Sequence, residues 1–184
     1  MTYATAVIPD SSSNYLKFTK AETIFRILDE QIEGTRGWKK IDGKNTPIRV
    51  PVGEAINVDD VDDESNVKYF WAMPVYDYDD KQIKILEITQ KTILKAIKGF
   101  ANDSDYGDPK GYDIKVSKAG EGLETEYQVT PKPPKKLDEA ITKSYKDMKI
   151  DLKALFTNDD PFKASEKKKE DDFVDEVSKA IDEV

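Results

Sequence analysis

The amino-acid sequence predicts a mainly β fold: five short strands closing into a small Greek-key barrel, with one helix between the third and fourth strands. Three observations predict it. Short runs rich in Val, Ile, Thr, Tyr and Phe alternate between apolar and polar positions, the period of a half-buried strand. Turn residues separate the runs, notably Asp42-Gly43, Asp79-Asp80-Lys81 and Gly120-Glu121-Gly122. One mid-chain segment changes to helical spacing.

Residues 1–22 read as a loose arm broken by Ser11-Ser12-Ser13-Asn14. Residues 23–30 (TIFRILDE) form the first strand, with Ile24, Arg26 and Leu28 on one face and Phe25 and Ile27 on the other. Gly34 and Gly37 bracket a turn, and Trp38 to Ile41 begins a second strand. Thr46 to Val52 continues it, with Pro47 and Pro51 placing that stretch at an edge or bulge. Residues 57–66 (NVDDVDDESN) are acidic and aperiodic, an exposed loop. Residues 67–78 (VKYFWAMPVYDY) are the strongest strand, and 82–88 (QIKILEI) return from it. Thr89 is the expected N-cap of a helix over about 90–101, whose Ile93, Leu94, Ile97 and Phe100 make one stripe. Tyr112 to Lys118 and Leu123 to Thr130 form the final hairpin, and Pro131, Pro133 and Pro134 stop it. This order of strands and helix is that of the OB fold, placed here at residues 23–135; such barrels present one face and two loops to oligonucleotides.

Beyond the prolines, residues 136–156 carry an amphipathic helix, with Leu137, Ile141, Tyr145, Met148, Leu152, Leu155 and Phe156 on one stripe. Residues 157–184 read as a polar linker and an acidic tail. The tail places Phe173, Val174, Val177 and Ile181 at helical spacing among Asp171, Asp172 and other acids.

Composition narrows the function. The 184 residues include no Cys and no His. That excludes a disulfide framework and Cys-ligated metals, and removes the commonest general base and zinc ligand. No catalytic residue set, metal site or cofactor is expected, and the chain reads as a binding protein rather than an enzyme. No GxxxxGK[ST] or GxGxxG motif is present. No apolar run is long enough for a membrane helix, and the N-terminal MTYATAVIPDSSSN has no basic n-region or long apolar stretch, so a cytoplasmic protein is expected.

Net charge is −8, which argues against nucleic acid until it is partitioned. From Glu170 to Val184 there are seven acids against one lysine, a net −6, leaving only −2 on the other residues. A near-neutral body can present a basic face. Single strands are held by cations that follow phosphates and by rings on which bases stack. Arg36, Trp38, Lys39, Lys40, Lys44 and Arg49 interleave one indole with five cations, and Lys68 precedes Tyr69, Phe70 and Trp71. The candidate nucleic-acid residues are Arg36, Trp38, Lys39, Lys40, Arg49, Lys68, Tyr69, Trp71, Tyr76 and Lys84. Alternation along 67–76 leaves open which of Tyr69, Phe70, Trp71 and Tyr76 point outward. Asp59, Asp60, Asp62, Asp63 and Glu64 read as a solvated loop, since they lack the EF-hand pattern.

Two long segments, YFWAMPVYDYDDKQIKILEITQKTILKAI and DYGDPKGYDIKVSKAGEGLETEYQVTPKP, resemble the OB-fold single-stranded DNA-binding proteins of tailed bacteriophages, as does the acidic C-terminus. The resemblance spans about residues 15–135. It implies sequence-independent coating of single-stranded DNA in phage replication, recombination and repair, without zinc. It also implies a tail that contacts phage or host replication proteins; in this sequence the apolar stripe among acids, Asp171, Asp172, Phe173, Val174, Val177 and Ile181, is the candidate contact. RNA in place of DNA, and the oligomeric state, stay open. The competing readings are a non-catalytic protein-interaction module and a metal-dependent nucleic-acid enzyme.

Overall fold

A long two-part strand runs through the sheet. β2 (Glu22–Ile27) and β3 (Ile32–Ile41) both pair antiparallel with β5 (Lys68–Asp77). Ile27 lies opposite Val75 and Ile32 opposite Ala72, so residues 28–31 carry two more residues than the facing strand. An even excess preserves the pleat, so the in–out alternation survives the bulge. The bulge pushes Asp29, Glu30 and Gln31 outward.

The structure, a computed structural model, describes residues 13–163. β3 turns at Asp42-Gly43, both at positive φ (50° and 77°), into β4 (Lys44–Pro51). Two consecutive positive-φ residues are what a tight two-residue hairpin loop requires, and Gly at the second removes the steric cost. Residues 46–52, expected to continue the strand begun at Trp38, fold back instead as the partner of β3. Gly34 and Gly37 sit inside β3 rather than bracketing a turn. A Cβ on Gly34 would lie 2.1 Å from the Val50 carbonyl oxygen, so β4 approaches β3 only because that side chain is missing.

β5 returns through β6 (Gln82–Ile88), followed by helix α1 (Lys91–Ala101), β7 (Asp113–Ala119) and β8 (Glu126–Pro131). The N-cap of α1 is Gln90, one residue beyond the expected Thr89. The sheet order is β1-β6-β5-β2-β7-β8, where β1 is Tyr15–Leu16, with β3 and β4 extending from β5. The sheet does not close on itself, so the closed barrel expected from the sequence is not formed among the described residues. The free edge of β6 is taken by β1, in parallel, with the Ile85 N–H donating to the Asn14 carbonyl at 2.9 Å. Within the arm expected to be loose, Tyr15–Leu16 therefore form a short edge strand that caps the β6 ladder. Residues 1–12 lie outside the described residues.

Each face of the sheet has a core. On one, Phe25, Met73, Val75, Leu86, Ile114 and their neighbours pack against Ile93, Leu94 and Ile97 of α1. On the other, Phe70, Ala72 and Ile85 pack against Leu155. The C-terminal stripe is not one helix. α2 (Glu139–Met148) ends at Lys149 in the left-handed conformation (φ 49°), and a 3₁₀ turn over Leu152–Thr157 follows, capped by Asp151. Leu155 is 2% exposed and Phe156 meets Phe70 at 6.3 Å between ring centroids, so this turn is a fixed part of the fold. α2 buries no residue fully. The acidic loop over 57–66 is exposed as expected apart from Val61, which is buried against Gly37, and the Asp62 N–H donates to the Trp38 carbonyl at 2.9 Å.

Among the described residues no helix is long and apolar enough to cross a membrane.

Candidate nucleic-acid interface

Residues directly opposite in a ladder share a face. Arg36 lies opposite Arg49 and Lys68, Trp38 opposite Pro47, and Ala72 opposite Glu87. Arg36, Trp38, Arg49 and Lys68 therefore project from the same face, the one that Leu155 covers further along the sheet. Glu87 joins them from β6. Its carboxylate accepts from Arg36 through Oε1 and from the Arg49 Nε–H through Oε2, the latter at 2.7 Å. Arg49 also donates from Nη1 to the Asn158 side-chain oxygen at 3.3 Å.

Glu87 and Arg49 side chains are each 9% exposed. A carboxylate shared by two guanidiniums fixes both in place while leaving one net positive charge at the site. The Arg36 guanidinium carbon lies 4.9 Å from the centroid of the Trp38 ring, within cation–π range. Trp38 itself is 38% exposed. Around this pair runs an open groove of about 690 Å³. Its charged lining is Lys17, Arg36, Lys44 and Arg49 against Glu87 and Asp159. Tyr15 supplies a second ring, half-buried, whose hydroxyl is pushed above its ordinary pKa chiefly by burial.

The other expected residues separate from this group. Tyr69 and Trp71 project from the opposite face of β5, opposite Thr35 and Glu33. There the Trp71 indole N–H donates to the Tyr69 hydroxyl at 2.9 Å, and the Tyr69 O–H donates to Glu33. Lys84 is 4% exposed and held between Asp77 (2.8 Å) and Asp80; burial lowers its pKa, but these carboxylates outweigh burial and raise it. An ammonium so enclosed cannot meet a phosphate at the surface, which corrects its placement on the binding face. Tyr76 is half-buried, edge-on to Tyr78 at 5.1 Å, beside Ile141 and Met148 of α2. Lys39 donates to the Asp59 carbonyl at 2.8 Å, and Lys40 is exposed, its backbone N–H bonded to Asp62. Phe70, whose direction the alternation left open, is fully buried.

The sequence reading missed Tyr15, Lys17, Glu87, Asn158 and Asp159. The alternation of Tyr15, Leu16, Lys17 and Phe18 was the available clue to an ordered edge strand. Nothing in the sequence marks Glu87 as the partner of two arginines, because the three residues meet only through strand register. The tail residues Asp171, Asp172, Phe173, Val174, Val177 and Ile181 lie outside the described residues. Among the described residues, no group of three or more acids is gathered closely enough to hold a metal ion. No family model, curated protein or solved structure matches this chain.

Proposed function

We propose that the chain binds single-stranded DNA without regard to sequence, along the groove at Trp38. The observation that carries this reading is the half-exposed indole stacked by Arg36 in a groove of four cations and two carboxylates. A base laid on the indole gains stacking energy whatever its identity, and the cations follow its phosphates. The strand order supports an OB-fold reading. Numbering β2, β5, β6, β7 and β8 as strands one to five, the sheet runs 3-2-1-4-5 with the helix between strands three and four. OB folds bind oligonucleotides on the face of strands two and three and on the loop between strands one and two. In this chain that loop contains the β3–β4 hairpin, which carries Trp38 and Arg49. On this reading the protein coats single strands during phage replication, recombination and repair, like the phage proteins it resembles. Tyr69, Trp71 and Lys84 are not part of the surface.

Phosphate neutralisation makes the affinity salt-dependent. Four contacts would give a log–log slope of about −3, since each contributes roughly −0.7 on a single strand. Titrating a fluorescent oligo-dT at several salt concentrations measures the slope; a flat response refutes the reading.

The acidic tail would compete with DNA for the same groove, at the roughly millimolar effective concentration of a short tether. Deleting residues 170–184 is expected to raise oligo-dT affinity severalfold at low salt, where the Debye length is long, and little at high salt. Equal affinities of the two proteins across the salt series would show that the tail does not reach the groove.

A further inference from the structure

The opposite face of β5 carries a second groove, of about 450 Å³, with the reverse charge. Its rim holds Asp29, Glu30, Glu33 and Asp108 against Lys98 and Lys110. Its floor is Trp71, with Met73 and Ile97 beneath. The 28–31 bulge places Asp29 and Glu30 on the rim, and register places Glu33 opposite Trp71.

Two of these carboxylates face the groove without a cationic partner. Glu33 accepts from the Tyr69 O–H, and Asp29 accepts from the Tyr145 O–H at 2.8 Å; among the described residues neither forms an ion pair. Both phenols are held above their ordinary pKa, by burial first and then by these carboxylates, so the donors are neutral and the negative charge stays uncompensated. The acids are spaced around the rim and do not converge on one point, so separate cations along a chain suit them better than a single ion. A nucleic-acid strand is disfavoured by the same charge.

A half-buried ring that lines a groove beside spaced carboxylates, as Trp71 does, is complementary to an apolar or aliphatic side chain flanked by lysine or arginine. We propose that this groove docks a basic peptide segment of a partner protein, with its apolar anchor on Trp71 and its cations on Glu33 and Asp29. The chain would then carry two faces of opposite sign, one for nucleic acid and one for protein. This assignment does not rest on the DNA reading.

The two tryptophans report on the two grooves separately. The full chain, with ¹⁵N-labelled indoles assigned through Trp38→Phe, is titrated with an acetylated and amidated Lys-Lys-Leu-Phe-Lys-Lys peptide. The Trp71 indole resonance is expected to shift saturably while that of Trp38 stays. The double variant Glu33→Gln/Asp29→Asn should bind about fivefold more weakly, the effect of two partly exposed ion pairs. A Glu-Glu-Leu-Phe-Glu-Glu peptide should leave Trp71 unmoved. The proposal is overturned if the basic peptide fails to move Trp71, if the double variant binds as well as wild type, or if oligo-dT rather than peptide moves Trp71. Oligo-dT moving Trp38 tests the DNA reading independently.

Discussion

Asp113→Ala is expected to lower the free energy of unfolding by about 3–5 kcal/mol, the usual cost of breaking a buried ion pair. Asp113 joins three parts of the fold. Its Oδ1 accepts from the Arg26 Nε–H and the Tyr78 O–H, both at 2.7 Å, and Lys135 approaches its Oδ2 at 3.4 Å. Arg26 is fully buried, with Nη1 donating to the Lys110 and Lys135 carbonyls. Deleting the carboxylate leaves a guanidinium in the interior with nothing to balance it, and the penalty is mostly that orphaned charge. A Tyr78→Phe change removes one hydrogen bond and should cost only about 1 kcal/mol. Urea unfolding midpoints of the three proteins measure the ranking.

The same carboxyl predicts part of the acid sensitivity. Burial alone pushes Asp113 up, but the Tyr78 and Arg26 hydrogen bonds outweigh burial and hold it below the ordinary 3.8. A depressed folded-state value gives stability that is full above the unfolded value and is lost as pH falls through the folded one. Wild type should therefore lose stability below about pH 4. Asp113→Ala should lack that part of the decline, seen as a shallower loss of urea midpoint with falling pH.

The second large effect is on binding. Trp38→Ala is expected to weaken oligo-dT binding by about 1–3 kcal/mol, the worth of one base stacked on an aromatic ring. The Arg36 guanidinium over the indole is held by Glu87, so it keeps its place without the ring, and the loss is that of the platform itself. Trp71→Ala lies on the acidic face and should leave DNA affinity within about twofold. Anisotropy titrations of both variants in 50 mM salt compare them; equal losses would mean that the DNA spans both faces or neither.

Much of the sheet is legible in the sequence, because in–out alternation and turn residues are local. The 67–78 and 82–88 hairpin and the 91–101 helix stand close to where periodicity puts them. What escaped depends on contacts between distant residues. The bulge at 28–31 exists only because β2 and β3 share β5 as a partner. Residues 15–16 become a strand only because the β6 edge is open. Lys149 breaks an otherwise continuous apolar stripe through its backbone conformation, which no side-chain pattern encodes. The candidate site is half visible in the sequence: the residue types of Arg36, Trp38 and Arg49 point to it, and the three do meet. Tyr69 and Trp71 have the same types, and the pleat sends them to the other face. Lys84 looked like a surface cation until its neighbours Asp77 and Asp80 closed on it.

If single strands lie on Trp38, the two indoles respond to DNA differently. Trp71→Phe leaves Trp38 as the only indole, and Trp38→Phe leaves Trp71. Adding oligo-dT at 50 mM salt should quench the emission of the first protein, with recovery on raising the salt, and leave the second nearly unchanged. Quenching in the Trp38→Phe protein alone, or in neither, would show that DNA does not lie on Trp38.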